Sequence, residues 1–155
     1  HKTVLYIGAQ TARMDFGDDF RDAGYQIDVL EIYPPNVQYL QKLGWINTVI
    51  EGDVRQASEL LTKTYDVVFW WHGPEHIEKE SLEATIAGLK GIATKLVVLG
   101  CPWGRHVKKH ANENPHEAHI SALYPEDFRK MEFEVSTLGE QDFPGSNVLA
   151  WLRKC

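Results

Sequence analysis

The sequence predicts an α/β fold: a single domain with a doubly wound, mostly parallel seven-stranded sheet that ends in an antiparallel hairpin. Strand-like and helix-like segments alternate along most of the 155 residues, which is the order that builds a parallel sheet. The strand-like segments are mostly short, continuous apolar runs, as expected where helices cover both faces of a sheet. Only a turn-rich segment separates the last two strand-like segments, so we expect them to pair antiparallel.

The first two strands flank a short helix. Thr3–Gly8 is an apolar run of strand length, and the helix after it is predicted from about Asp15. Gly24 ends this helix, because glycine adopts the left-handed conformation that commonly follows a last turn. Gln26–Ile32 is then the second strand.

The next helix opens at Pro34-Pro35, since proline is tolerated in a first turn where its missing N–H is not needed. Gly44 is predicted to end this helix, and Trp45–Ile50 to form the third strand. A short helix over Gln56–Thr62 leads to the fourth strand, Tyr65–Trp71, which is apolar and rich in residues that favour strands.

The second half of the chain supplies one long helix and the hairpin. The helix after Gly73-Pro74 carries an apolar face at helical spacing as far as Leu89. The remaining predicted elements are a fifth strand at Lys95–Gly100, a short helix at Pro125–Met131, and two strands at Phe133–Leu138 and Val148–Leu152.

Composition excludes several classes of partner. The net charge of −6 argues against a broad surface for a phosphate backbone, and hence against nucleic acid. No apolar run approaches the roughly 20 residues that a membrane span needs, so no membrane partner is expected. Cys101 and Cys155 are too few for a disulfide framework, which fits a reducing compartment and predicts a cytoplasmic protein.

Two predicted strand ends carry residues typical of a nucleoside site. The first strand runs into Gly8, and a glycine turn before a helix lets the backbone approach a ligand closely. Glu31 ends the next strand about 20 residues on, where a carboxylate can accept hydrogen bonds from a ribose diol. The alternative for Glu31 is a solvated carboxylate at a strand end.

These features, in this order, resemble the class I S-adenosylmethionine-dependent methyltransferases over essentially the whole chain. Tyr6–Ala12 lines up with the D/E-x-G-x-G-x-G loop of that family, and Glu31 with its ribose-binding acid. Gly52-Asp53-Val54 resembles the segment that contacts adenine. Tyr65–Ile77 is similar to the fourth-strand motif, and His116–Phe128 to the segment before the last two strands.

The resemblance implies S-adenosylmethionine as cofactor and methyl transfer as the reaction. The residues that it implies for cofactor binding are Gly8, Ala9, Gln10, Glu31, Ile32, Asp53, Val54, Trp71 and His72. Asp53 is equally consistent with a plain turn residue after Gly52. Because Gln10 and Ala12 replace glycines of the family loop, the alternative is a non-catalytic module that holds cofactor or metal. A dinucleotide oxidoreductase is a third hypothesis, which the loop and the hairpin oppose.

Methyl transfer from a sulfonium is an in-line displacement, in which positioning supplies most of the catalysis. A general base is needed only where the acceptor loses a proton of high pKa, and His119 and His76 are the candidates for that role. We expect a small-molecule acceptor or an exposed side chain. Its selectivity would come from loops 71–76 and 101–121, or from a second subunit of a homo-oligomer.

Four histidines lie in the polar segment 101–121, at positions 106, 110, 116 and 119. On helices, the first two would share one face and the last two another. Zinc, nickel or non-haem iron could use such a set, and a polar lid over the acceptor is the alternative. We assign no metal ligands from the sequence, because spacing alone does not define a coordination sphere.

Overall fold

The computed structural model of the chain describes residues 1–10, 16–106, 108 and 114–155. The strands within them are β1 Lys2–Ile7, β2 Tyr25–Glu31, β3 Thr48–Glu51, β4 Tyr65–Trp71, β5 Ala93–Pro102, β6 Glu134–Leu138 and β7 Asn147–Arg153. All seven belong to one sheet with the order β3-β2-β1-β4-β5-β7-β6. The first five strands pair in parallel, and β7 pairs antiparallel with both β5 and β6. The predicted α/β architecture with a closing antiparallel hairpin is therefore confirmed.

Helices cover both faces of this sheet. They are α1 Gly17–Asp22, α2 Pro34–Gln41, α3 Ala57–Leu60, α4 Lys79–Ile92 and α5 Pro125–Arg129. Successive residues of β1 point to opposite faces, so Val4 belongs to one apolar cluster and Leu5 to the other. The Val4 cluster includes residues of α2, whereas the Leu5 cluster includes residues of α4 and α5. Among the residues described, no helix is long and apolar enough to span a membrane.

Most predicted boundaries lie within a few residues of the observed ones, and one difference has a clear cause. The third strand begins at Thr48 rather than Trp45, because Trp45 and Ile46 pack on the apolar cluster instead of joining the ladder with β2. The preceding helix ends at Gln41, three residues before Gly44. The predicted start of the first helix, Asp15, lies outside the described residues.

The predicted helix after Gly73-Pro74 is divided into two elements. Pro74–His76 forms a single 3-10 turn, and α4 begins only at Lys79. The intervening Ile77 has an extended backbone with ψ of 161°, which interrupts the helix. This break directs the side chains of Glu75 and His76 toward the end of the sheet where the cavities lie.

A buried carboxylate on β2 stabilises the sheet. Asp28 on β2 is 1% exposed and accepts hydrogen bonds from Tyr65 Oη at 2.8 Å and Asn47 Nδ2 at 2.7 Å. The ammonium group of Lys63 lies 2.5 Å from the same carboxylate. Burial raises the pKa of Asp28, but the three partners together outweigh it, so the pKa lies below the usual 3.8.

Candidate active site

Two adjoining cavities open where the carboxyl ends of β1, β2 and β4 meet. The strand order reverses at β1, which lies between β2 and β4, and open α/β sheets bind ligands beside such a reversal. The first cavity reaches from Gly8 to Asp53 and has a volume of about 670 Å³ including its open mouth. The second lies over Trp71 and is bordered by His76 and His119. Gly8, Gln10, His72 and His76 border both cavities.

The turn after β1 has the backbone of a ligand-binding loop. Gly8 has φ of +71°, and its N–H donates to the carbonyl of Leu30 at 2.9 Å. A Cβ at Gly8 would meet no atom within 4 Å, so open space lies directly above this backbone. Gln10 also has a left-handed backbone, with φ of +59°, at the position where the family loop has its second glycine. The turn therefore keeps the glycine-type conformation although the glycine itself is absent.

Glu31 joins this turn to the end of β2. Its side chain is 4% exposed, and its two oxygens accept the backbone N–H groups of Gln10 and Tyr33, each at 3.1 Å. A carboxylate oxygen can accept more than one hydrogen bond, so both oxygens retain capacity for a ligand on the cavity side. Ile32 borders the same cavity. This is a buried, oriented carboxylate rather than a solvated strand end.

Asp53 lies at the far wall of the first cavity and is already engaged by Arg55. Its Oδ1 accepts the backbone N–H of Arg55 at 2.9 Å, which caps the 3-10 turn beginning at Val54. The guanidinium of Arg55 contacts Asp53 Oδ2 at 2.6 Å and Glu78 at 2.7 Å. Burial raises the pKa of Asp53, but the hydrogen bonds from Arg55 together lower this pKa by a larger amount. The pKa of Asp53 therefore lies below its usual value of 3.8. A turn-forming role for Asp53 is thus observed, on the wall where the resemblance implies adenine.

The two tryptophans at the end of β4 face opposite sides of the sheet. Trp70 is 2% exposed and lies in the core, where its indole occupies the space that a side chain at position 73 would fill. Trp71 is half-buried, borders the second cavity and stacks on Phe69 at 6.3 Å between ring centroids. His72 then leaves the strand with φ of +48°. Trp70 thus packs in the core beneath the first cavity, whereas Trp71 borders the second.

Glu75 is the most unusual charged residue in the second cavity. Its side chain is 2% exposed, and neither carboxylate oxygen has a hydrogen-bond partner among the described residues. Three imidazole nitrogens surround Oε1: His72 Nδ1 at 3.5 Å, His76 Nε2 at 3.6 Å and His119 Nε2 at 3.9 Å. These separations exceed hydrogen-bonding distance.

Backbone carbonyls determine how two of these imidazoles are oriented. Nδ1 of His76 lies 3.0 Å from the carbonyl oxygen of Ala118, and Nδ1 of His119 lies 2.9 Å from that of His106. A carbonyl only accepts, so each Nδ1 carries a proton and each Nε2 faces Glu75. Burial is the largest influence on His119 and lowers its pKa below 6.5. At neutral pH, Nε2 of His119 is therefore a proton acceptor.

All eleven residues predicted for cofactor binding or catalysis border one or both cavities. His116 and His119 do not share a helix face, because His116 belongs to a 3-10 turn on the first cavity and His119 borders the second. His110 lies outside the described residues, so its pairing with His106 stays a prediction. Sequence reasoning gave no site role to Arg55 or Glu75.

Cys101, at the end of β5, is buried rather than exposed to the cavity. Burial raises the pKa of its thiol well above the usual value, and the negative charge of Glu75 adds to this. Cys101 is therefore a neutral packing residue, and Cys155 is exposed, so the two form no disulfide.

No family model matches the chain, and no curated protein matches it. Solved structures, in contrast, match the chain. A SAM-dependent methyltransferase from Archaeoglobus fulgidus superposes with a TM-score of 0.70 at 16% identity, over 99% of this chain and 86% of that one. Magnesium protoporphyrin IX methyltransferase from Synechocystis PCC 6803, solved with bound SAM, gives 0.69 at 17% identity, over 98% and 69%. The chain thus has the Rossmann-like fold of class I S-adenosylmethionine-dependent methyltransferases.

Proposed function

We propose that the chain binds S-adenosylmethionine in the first cavity and transfers its methyl group to an acceptor in the second. The observation that carries this proposal is the buried carboxylate of Glu31, tied by hydrogen bonds to the backbone of Gln10 and Tyr33. It lies beside the open Gly8 turn, in a fold whose solved relatives include structures with bound SAM or SAH. A carboxylate held in this way is ready to accept the two hydroxyl groups of a ribose.

The remaining cavity residues line different parts of the cofactor. The backbone of Gly8, Ala9 and Gln10 faces the methionine part, where open space lies above Gly8. Asp53 and Val54 border the adenine end, and Val54 begins a 3-10 turn whose first N–H has no partner within that turn. Ile32 adds apolar surface on the same wall, and Trp71 and His72 close the site at the end of β4.

When bound, S-adenosylmethionine would supply an activated methyl group to an acceptor lone pair, with the thioether sulfur as leaving group. The protein orients the acceptor in the second cavity and receives the proton that the acceptor loses. Nε2 of His119 is placed for that role, because Nδ1 donates to a backbone carbonyl and burial keeps the ring neutral. Nε2 of His76 is the second candidate. The cavity suits a small-molecule acceptor.

Calorimetry with S-adenosylmethionine, S-adenosylhomocysteine and NAD tests the cofactor assignment. We expect both sulfur nucleosides to bind and NAD not to bind, and binding of NAD alone would overturn the proposal. Incubation with cell extract and a methyl-labelled donor then tests turnover, with label expected in a low-molecular-mass product. Cofactor binding with no labelled product in any extract would favour the non-catalytic module, which the replacement of a loop glycine by Gln10 also favours.

A further inference from the structure

Glu75 is a buried carboxylate without a compensating partner among the described residues. A carboxylate taken out of water is strongly destabilised unless hydrogen bonds or opposite charges compensate for it. Glu75 is 2% exposed, and both of its oxygens lack a hydrogen-bond partner among the described residues. Lys108 borders the same cavity, yet no ion pair joins it to Glu75 in the part of the chain that the structure describes.

Two of the histidines around Glu75 direct Nε2 at its carboxylate. His76 and His119 each donate Nδ1–H to a backbone carbonyl, and their Nε2 atoms lie 3.6 and 3.9 Å from Oε1. In the Nδ1–H tautomer, the two Nε2 atoms and the carboxylate oxygen are three electron-rich ligand atoms around one point. A cation at that point would be attracted to all three ligand atoms.

We propose that Glu75, His76 and His119 bind a divalent transition-metal ion. One ligand atom from each residue lies within 4.8 Å of the other two. Metal bonds to imidazole nitrogen and carboxylate oxygen are about 2.0–2.2 Å long, so atoms sharing an ion lie roughly 3–3.6 Å apart. Oε1 is 3.6 Å from Nε2 of His76 and 3.9 Å from that of His119, so small side-chain shifts complete the geometry.

The surroundings match those of protein metal sites. Ligating histidines usually donate their second ring N–H to a carbonyl or a carboxylate, which fixes the ring orientation. The carbonyls of Ala118 and His106 serve this purpose for His76 and His119. Nδ1 of His72 also lies 3.5 Å from Oε1, but His72 is outside the group whose ligand atoms are all within 4.8 Å of one another. Imidazole-rich sets with one carboxylate favour zinc, iron or cobalt over magnesium and calcium.

The position of this cluster suggests the chemical class of the acceptor, an inference that also rests on the proposed function. All three ligands border the second cavity, so an acceptor oxygen can complete the coordination of the ion. With the ion bound, Nε2 of His76 and His119 is a metal ligand and no longer a base. The cation instead lowers the pKa of a coordinated hydroxyl group, which loses its proton to solvent and attacks as the alkoxide. We therefore infer a hydroxyl-bearing acceptor.

Metal binding is tested without cofactor or acceptor. The tag-free protein is stripped with chelator and titrated with Zn²⁺ and Co²⁺, using calorimetry and the visible absorption of protein-bound cobalt. We expect about one ion per chain. With zinc at a hundred times its Kd, thermal unfolding of the wild type should shift upward by about 5–10 °C. The Glu75→Gln and His119→Ala variants should lose the absorption and at least tenfold in affinity.

His116→Ala is the matched control for metal binding, because His116 lies on the first cavity and outside the cluster. Circular dichroism of the stripped variants establishes that they fold. If they do not, His76→Asn and the wild-type titration still decide the question. Failure of the wild type to bind zinc or cobalt, or equal affinity in Glu75→Gln and His116→Ala, would overturn the metal site.

The two proposals fail in different assays. If the chain binds no metal, calorimetry of the stripped protein still measures the binding of S-adenosylhomocysteine. If the chain binds no nucleoside, the cobalt spectrum still measures metal binding. If both bind, chelation should abolish methyl transfer to hydroxyl compounds without weakening the binding of S-adenosylhomocysteine more than threefold. Undiminished transfer after chelation would overturn the role of the metal in acceptor activation.

Discussion

Replacing Glu31 with glutamine tests the ribose site directly. The side chain is 4% exposed, so a hydrogen bond from a bound ligand would be shielded from water. Glutamine keeps one oxygen but loses the charge and presents an NH₂ group on the other side. Losing one charge-assisted hydrogen bond costs about 1.5–3 kcal/mol, which weakens nucleoside binding about 10- to 150-fold.

The assay is calorimetric titration with S-adenosylhomocysteine, with Glu51→Gln as the matched control. Glu51 is the register partner of Glu31 on β3, but it is exposed and borders neither cavity. We expect the control to bind like the wild type. Glu31→Gln should also lower the free energy of unfolding by about 1–2 kcal/mol. The reason is that its NH₂ group faces one of the backbone N–H groups from which the carboxylate accepts a hydrogen bond. Wild-type nucleoside affinity in Glu31→Gln would refute the ribose role.

Three further predictions concern the residues around the cavities and the sheet. Gln10→Gly should raise the free energy of unfolding by about 0.5–1 kcal/mol, because Gln10 has φ of +59°; urea denaturation measures this, and a decrease would contradict it. Arg55→Ala should cost under about 1 kcal/mol, since its ion pairs are exposed, and should raise the pKa of Asp53 toward 3.8 in an NMR titration. Asp28→Asn should cost about 2–3 kcal/mol at pH 7, because the buried carboxylate accepts charge-assisted hydrogen bonds. The folded-state pKa of Asp28 is lowered, so this stabilisation is complete above about pH 4 and disappears as the pH falls through the folded pKa. Urea unfolding at several pH values should therefore show wild type and Asp28→Asn converging in strong acid, and a constant difference would contradict the assignment.

The apolar runs of the sequence predict the bounds of a strand correctly where all of their residues pair in the sheet. Tyr65–Trp71 is such a run, and β4 has these same bounds. Trp45 and Ile46 continue the apolar run toward β3, but they pack beside the sheet, and hydrophobicity alone does not distinguish packing from pairing. The break at Ile77 was missed for a related reason: a helical spacing of apolar residues is compatible with a short interruption near Pro74.

The site was predictable to the extent that it depends on strand ends. Parallel strands end at the same edge of a sheet, so Gly8, Glu31 and Asp53 had to lie near one another once the strand order was known. Glu75 was not predictable, because its burial depends on how the segment before β6 folds against the sheet. Only in the folded chain do the backbone N–H groups of Ile120 and Ser121 donate to the carbonyl of Glu75, at 2.9 and 3.1 Å.

The position of β7 has a consequence for how the chain folds. β7 follows β6 in the sequence, yet it lies between β5 and β6 and pairs with both. During synthesis, the edge of β5 therefore stays open until residues 147–153 have been made, and β6 has no partner strand before then. An open β5 edge can pair with other chains, so a nascent chain stopped before β7 should be prone to aggregation. Because completion of the sheet waits for residues 147–153, we expect a late, cooperative last step in folding.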